Sequence, residues 1–262
     1  MTAILESSHI SKSFSGIQAL NDVSIDVMEG ERVGLIGPNG AGKTTFFNCL
    51  LGVLVADSGA VRFHGRDIST LPVHKRARAG IGRTFQRIEL FSDTTVREHL
   101  LIAERIHNGT GAFWKDLLGR GRPTAPEIER CDAVLELLGL RELGDEPIES
   151  LSLGQGRLVE VGRALMTEPS LLLLDEPSSG LDREETAALA TTLREIQAEK
   201  GFAILLVEHD VDLVADFTER LYVLDFGSLI AEGPTAETLR DPAVRTAYLG
   251  TLELDGHHGD AP

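Results

Sequence analysis

Gly37-Pro38-Asn39-Gly40-Ala41-Gly42-Lys43-Thr44, continued by Thr45, decides how this 262-residue chain folds. It fits the pattern G-x-x-x-x-G-K-[ST], whose residue types each have a physical task. Glycines let successive backbone N–H groups turn inward around phosphate oxygens. Lys43 places a point charge on the β- and γ-phosphates of a nucleotide, and the Thr44 hydroxyl is a ligand for Mg²⁺. Arg32–Ile36 enters as a strand and Thr45–Leu51 leaves as a helix, aiming its positive dipole end at the anion. Gly37, Pro38, Asn39, Gly40, Ala41, Gly42, Lys43, Thr44 and Thr45 are therefore the expected nucleotide cradle.

Working outward, a second signature follows at Leu171-Leu172-Leu173-Leu174-Asp175-Glu176. A buried strand delivers two carboxylates at its C-terminal end, where open α/β sheets bind ligands. Asp175 is expected to hold Mg²⁺ through water. Glu176 is placed to act as general base on an attacking water. A further apolar run, Ala203–Val207, is separated from the first by a helix with Leu189, Leu193 and Ile196 on one face. Apolar runs alternating with helices predict a parallel sheet covered on both sides.

The flanks are of other kinds. Residues 1–70 read as short strands with tight turns, among them Val23–Val27 and Ala60–Phe63. From about Thr94 to Leu165 helical periodicity dominates: Ile128, Cys131, Val134, Leu135 and Leu138 share one face and Gly139 ends that helix. The Gly- and Pro-rich stretch Asn108–Pro126, with the lone Trp114, reads as a surface excursion. Asp241-Pro242 opens a last helix as an N-cap and N1 pair, and the polar end with His257-His258 reads as a flexible tail.

Composition removes several classes of function. The formal charge of −16 repels a phosphate backbone and anionic lipid, so no nucleic acid is expected as partner. Lys75, Arg76 and Arg78 interrupt this acidity, and so short a basic run reads as a solvated face. Two cysteines, Cys49 and Cys131, make no disulfide framework and suggest a reducing compartment. No signal peptide is read at the start, and no apolar run approaches the ~20 residues that a membrane-spanning helix needs. Any membrane role is expected to pass through a partner.

Leu151-Ser152-Leu153-Gly154-Gln155 resembles the signature LSGGQ of the ABC ATPases, and Ser152 lies 23 residues before Asp175, as in that family. The resemblance covers nearly the whole chain. It implies an α/β P-loop NTPase core with an N-terminal antiparallel β subdomain and a helical subdomain at about 92–165. The domain spans 1–250, and a flexible tail occupies 251–262. It also implies a head-to-tail dimer with a second ATP-binding subunit, in which Ser152, Gly154 and Gln155 bind the γ-phosphate of ATP held on the other chain. Leu153 departs from the signature glycine.

Phe14, 29 residues before Lys43, matches the aromatic that stacks on adenine. Gln86 matches the glutamine that senses Mg²⁺ and the permease, and His209, 33 residues after Glu176, matches the switch histidine. Ser179-Gly180-Leu181-Asp182 matches the D-loop of the dimer interface. Finer likenesses point to ATPases of branched-chain amino-acid importers: Gly80–Gln86 with Leu90-Phe91, the insertion near Ala112–Leu118, Val207-Glu208-His209-Asp210, and Ala247-Tyr248-Leu249-Gly250. Urea importers and a lipopolysaccharide-export ATPase share several of these.

The implied function is ATP hydrolysis that powers import of a small solute, branched-chain or related amino acids, with ATP and Mg²⁺ as cofactors. The implied partners are transmembrane permease subunits and an extracytoplasmic solute-binding protein, and the implied place is the cytoplasmic face of the cell membrane. A soluble ABC ATPase acting on DNA or ribosomes is disfavoured by the acidic charge. A degenerate regulatory subunit is disfavoured because Lys43, Gln86, Asp175, Glu176 and His209 are all present.

Overall fold

The computed structural model describes residues 2–84, 94–108 and 123–255, side chains 107–108 and 249–255 excepted. The chain forms two compact units, residues 1–76 with 203–262, and residues 77–202.

The first unit contains a sheet of β1 (Ala3–Phe14), β2 (Ile17–Met28), β4 (Ser58–Phe63) and β5 (Arg66–Asp67), in the order β2-β1-β4-β5. All its pairings are antiparallel. β1 and β2 are twelve residues each, longer than the short strands expected from the sequence. Register shifts along their ladder explain the difference. A bulge resets the period of two, so apolar alternation is visible only in fragments such as Val23–Val27.

A second set of strands bears the Gly37–Thr45 loop. β3 (Arg32–Ile36) pairs in parallel with β8 (Ala203–Val207) on one side and β9 (Arg220–Asp225) on the other, and β10 (Ser228–Pro234) closes antiparallel to β9. Val33, Leu35, Ile36, Ala203 to Val207 and Leu221 to Leu224 are buried, as both-face coverage requires. Between β3 and β4 lies α1 (Lys43–Leu51), and α2 (Val73–Arg78) follows β5. After β8 come α7 (Val211–Phe217), α8 (Thr235–Thr238) and α9 (Pro242–Asp255), the last opened by Asp241, whose carboxylate accepts the Ala243 N–H at 2.7 Å.

Arg76 corrects one expectation. It is not part of a solvated basic face: it is 1% exposed, while Lys75 and Arg78 are exposed. Its guanidinium donates to the carbonyls of Cys49 (2.8 Å), Leu50 (2.6 Å), Ser69 (2.8 Å) and Leu71 (2.9 Å). Two of these are last-turn carbonyls of α1, which a cation satisfies well.

In the second unit β6 (Ile81–Arg83) pairs in parallel with β7 (Leu171–Asp175). α3 (Val96–Asn108), α4 (Ala125–Leu137) and α5 (Leu153–Leu165) pack together, and α6 (Arg183–Lys200) follows β7. Cys131, Leu135 and Leu138 are buried on α4 and its end, but Ile128 is exposed. It lies in the first turn of α4, where the helix is opened by a Thr124–Glu127 capping box rather than by packing. The excursion residues 109–122 and Trp114 lie outside the described residues, as do His257 and His258.

Candidate nucleotide-binding and hydrolysis site

Within the first unit, β3 and β8 run side by side in register, Leu35 opposite Val207. Two residues beyond Leu35 is Gly37, and two beyond Val207 is His209. The phosphate loop and the histidine turn thus leave the sheet from neighbouring strands. The Glu208 N–H donates to the Leu35 carbonyl at 3.4 Å, extending the ladder to the edge of the loop.

Local sterics explain the glycines. A Cβ on Gly37 would lie 2.1 Å from the Leu224 carbonyl oxygen, so no side chain fits there. Gly42, the N-cap of α1, has φ 100°, and a Cβ there would meet the Ala19 carbonyl at 2.6 Å. The Gly227 N–H donates to the Ala41 carbonyl at 3.0 Å, so the β9–β10 turn braces the loop. Lys43 is 7% exposed, and its ammonium donates to the Gly37 carbonyl at 2.6 Å and the Pro38 carbonyl at 3.1 Å. It lies along the loop it is expected to serve. Asn39, Gly40 and Thr44 are exposed, Pro38 and Thr45 half-buried and Ala41 buried.

Phe14, at the tip of the β1–β2 hairpin, is 43% exposed, with the Lys12 ammonium 5.7 Å from its ring centre. Behind the loop, Tyr248 of α9 is half-buried with its hydroxyl oxygen wholly so. Burial pushes the phenol up to about 12, against the pull of the Gly37 N–H.

In the second unit, Asp175 ends the buried strand β7 half-exposed, and Glu176 turns the chain with φ 46°. The Ser179 N–H donates to the Glu176 carbonyl at 3.1 Å, closing this turn. Ser152 caps α5: its hydroxyl accepts the Gln155 N–H at 3.2 Å, and the Gln155 side chain accepts the Ser152 N–H at 2.9 Å. Leu153 is 41% exposed. Arg157, 7% exposed, donates to the Ser179 carbonyl at 3.0 Å, tying this helix to the Ser179–Asp182 segment. Asp182 then caps α6, accepting the Glu185 N–H at 2.9 Å.

Residues 20–179 match the family model described as ABC transporter. BraF of Pseudomonas aeruginosa, a high-affinity branched-chain amino acid transport ATP-binding protein, is 40% identical over 252 residues, covering 94% of this chain and 98% of BraF. The chain belongs to the ABC transporter ATP-binding family. LptB of Haemophilus influenzae, a lipopolysaccharide export system ATP-binding protein, is 35% identical, covering 95% of this chain and 98% of LptB. The ADP conformation of MJ1267, an ATP-binding cassette of an ABC transporter, superposes with a TM-score of 0.86 at 37% identity, covering 95% of this chain and all of that one. This ABC ATPase therefore has the expected α/β core with an antiparallel β sheet.

Of the residues expected at the site, the first unit of the ABC ATPase holds Phe14, the cradle 37–45 and His209, and the second holds Ser152, Gly154, Gln155, Asp175 and Glu176. Gln86, with Phe85, Leu90 and Phe91, lies outside the described residues. Gln155 was expected on phosphate, and its side chain closes a capping box. Arg157, Glu208 and Tyr248 were not singled out individually. For Glu208 there was a signal: a carboxylate directly after five apolar strand residues.

Proposed function

We propose that this ABC ATPase binds Mg-ATP at the Gly37–Thr45 loop and uses its hydrolysis to drive import of branched-chain or related amino acids through a separate permease. The observation that carries the nucleotide reading is the side-chain-free space at Gly37 and Gly42, together with the Lys43 ammonium held along the loop. Lys43 neutralises the β- and γ-phosphates, and the α1 N-terminus adds its dipole. The exposed Thr44 hydroxyl and half-exposed Asp175 are hard oxygen donors suited to Mg²⁺. No group of three or more His, Cys, Asp or Glu that could hold a metal occurs among the described residues. Two protein donors with phosphate oxygens are the usual arrangement for this ion, whose role is to offset charge on the phosphates.

Glu176 takes a proton from the attacking water, and His209, with a side chain 57% exposed, donates to the γ-phosphate. Phe14 stacks on the adenine. Ser152 and Gly154 cap the γ-phosphate on a second ATP-binding subunit, and Gln86 joins the metal to the permease. The solute-binding protein and the cytoplasmic membrane face belong to the same reading. It is supported by the 40% identity to BraF.

The chemistry is tested with Glu176→Gln, which should lower turnover about 10²- to 10⁴-fold while ATP binding persists. A variant retaining a third of parental turnover refutes the base assignment. The cargo is tested by uptake of labelled leucine and urea in cells with and without the gene. Undiminished amino-acid uptake with a polysaccharide or lipid export defect would assign the chain to the role that LptB's name describes.

A further inference from the structure

Glu208 ends β8 and is 0% exposed. A carboxylate taken wholly out of water is costly unless fixed donors replace its hydration. Here one oxygen accepts the N–H of His209 at 3.0 Å and of Asp210 at 3.4 Å, and lies 3.7 Å from His209 Nδ1. On the far side, the Asp210 carboxylate caps α7, accepting the N–H groups of Asp212 (2.9 Å) and Leu213 (3.1 Å). Glu208 therefore holds the turn from beneath, Asp210 fastens it to the next helix, and the His209 side chain is exposed.

We propose that Glu208 is a positioning residue for ATP hydrolysis. Its buried carboxyl group fixes the backbone from which the His209 side chain springs, at the end of the strand beside the phosphate loop. The inference rests on the reading that His209 meets the γ-phosphate. A carboxyl group buried directly behind an exposed imidazole carries a desolvation cost that an apolar residue of the same volume would avoid. Its use is geometric: two backbone N–H groups converge on one oxygen, so the turn has one arrangement. A misplacement of about 1 Å at a phosphate-contacting group costs up to about 100-fold in rate.

The test compares Glu208→Gln, Glu208→Asp, Glu208→Leu and His209→Ala in the purified full chain, measuring kcat, KM for ATP and thermal unfolding. Glutamine keeps an oxygen at the same reach, so kcat should stay within about threefold of the parent. Aspartate is one methylene short and leucine has no acceptor, so both should lose about 10- to 100-fold in kcat with KM little changed. If the leucine variant does not fold, the contrast between aspartate and glutamine decides. Equal kcat for aspartate, glutamine and parent, with His209→Ala inactive, overturns the positioning role and leaves the site reading intact. Full activity in His209→Ala overturns both.

Discussion

Removing the buried Arg76 guanidinium should strongly destabilise the first unit. Four carbonyls converge on this one group, those of Cys49 and Leu50 buried and those of Ser69 and Leu71 half-buried. Hydrogen bonds to a charged donor contribute ~1.5–3 kcal/mol each, so the gross loss in Arg76→Met is ~6–12 kcal/mol. Against it stands the cost of keeping a guanidinium out of water, several kcal/mol, which methionine avoids. The same desolvation moves the Arg76 pKa downward. The net loss comes to ~4 kcal/mol, from carbonyls left without a donor, a large part of the ~5–15 kcal/mol that a domain has.

With a urea slope of ~3 kcal/mol/M for a chain of this size, the midpoint should fall by ~1.3 M. Arg76→Lys should fall in between, because a point ammonium has three donors and cannot fan across four acceptors. Gly52→Ala attacks the same joint from outside: its Cβ would lie 2.7 Å from Arg76 Nε and 2.6 Å from the Leu71 carbonyl, at φ 76°. Nucleotide affinity should weaken alongside, since α1 carries Lys43 at its other end. A midpoint shift under ~0.3 M for Arg76→Met would refute the reasoning, because it corresponds to less than ~1 kcal/mol at that slope.

Two shorter predictions follow. Gly37→Ala should abolish binding of a fluorescent ATP analogue, because its Cβ would sit 2.1 Å from the Leu224 oxygen and displace the loop. Glu127, held by the Arg105 guanidinium and the Thr124 cap, has its pKa lowered to about 2. Its folded pKa lies below the unfolded one, so its stabilisation is present above about pH 4.5 and lost as pH falls toward 2. Carboxyl NMR titration should show Glu127 below the other glutamates, and Arg105→Gln should raise it.

What the sequence disclosed depends on where the bonding information sits. The Gly37–Thr45 loop was legible because each constraint there, absent Cβ or fixed cation, falls on a residue type. β7 and β8 were legible because burial on both faces leaves an unbroken apolar run. Arg76 was not, because its partners are backbone carbonyls, which every residue carries, and only tertiary placement brings Cys49, Leu50, Ser69 and Leu71 to one point. The lengths of β1 and β2 were hidden by their register shifts. Ile128 misled because its spacing fits the apolar face while its place in the first turn leaves it outside the packing.

Glu176, the proposed general base, stands at a strand end in a costly backbone conformation. Its φ of 46° places a glutamate in the left-handed region, a conformation ~1–2 kcal/mol less favourable for a side chain of this type. Asparagine tolerates that region far better, and unlike glycine it adds little entropy to the unfolded chain. Glu176→Asn should therefore raise stability by between zero and ~1 kcal/mol, a urea midpoint up to ~0.3 M above the parent's, while turnover falls with loss of the proposed base. Glu176→Gln should keep the strain and the parental midpoint while losing turnover equally. The pair separates the backbone's contribution from the carboxylate's. A drop of more than ~1 kcal/mol in the asparagine variant would mean that the glutamate side chain stabilises this turn by more than its conformation costs. The residue would then be held there by contacts and not by selection for catalysis.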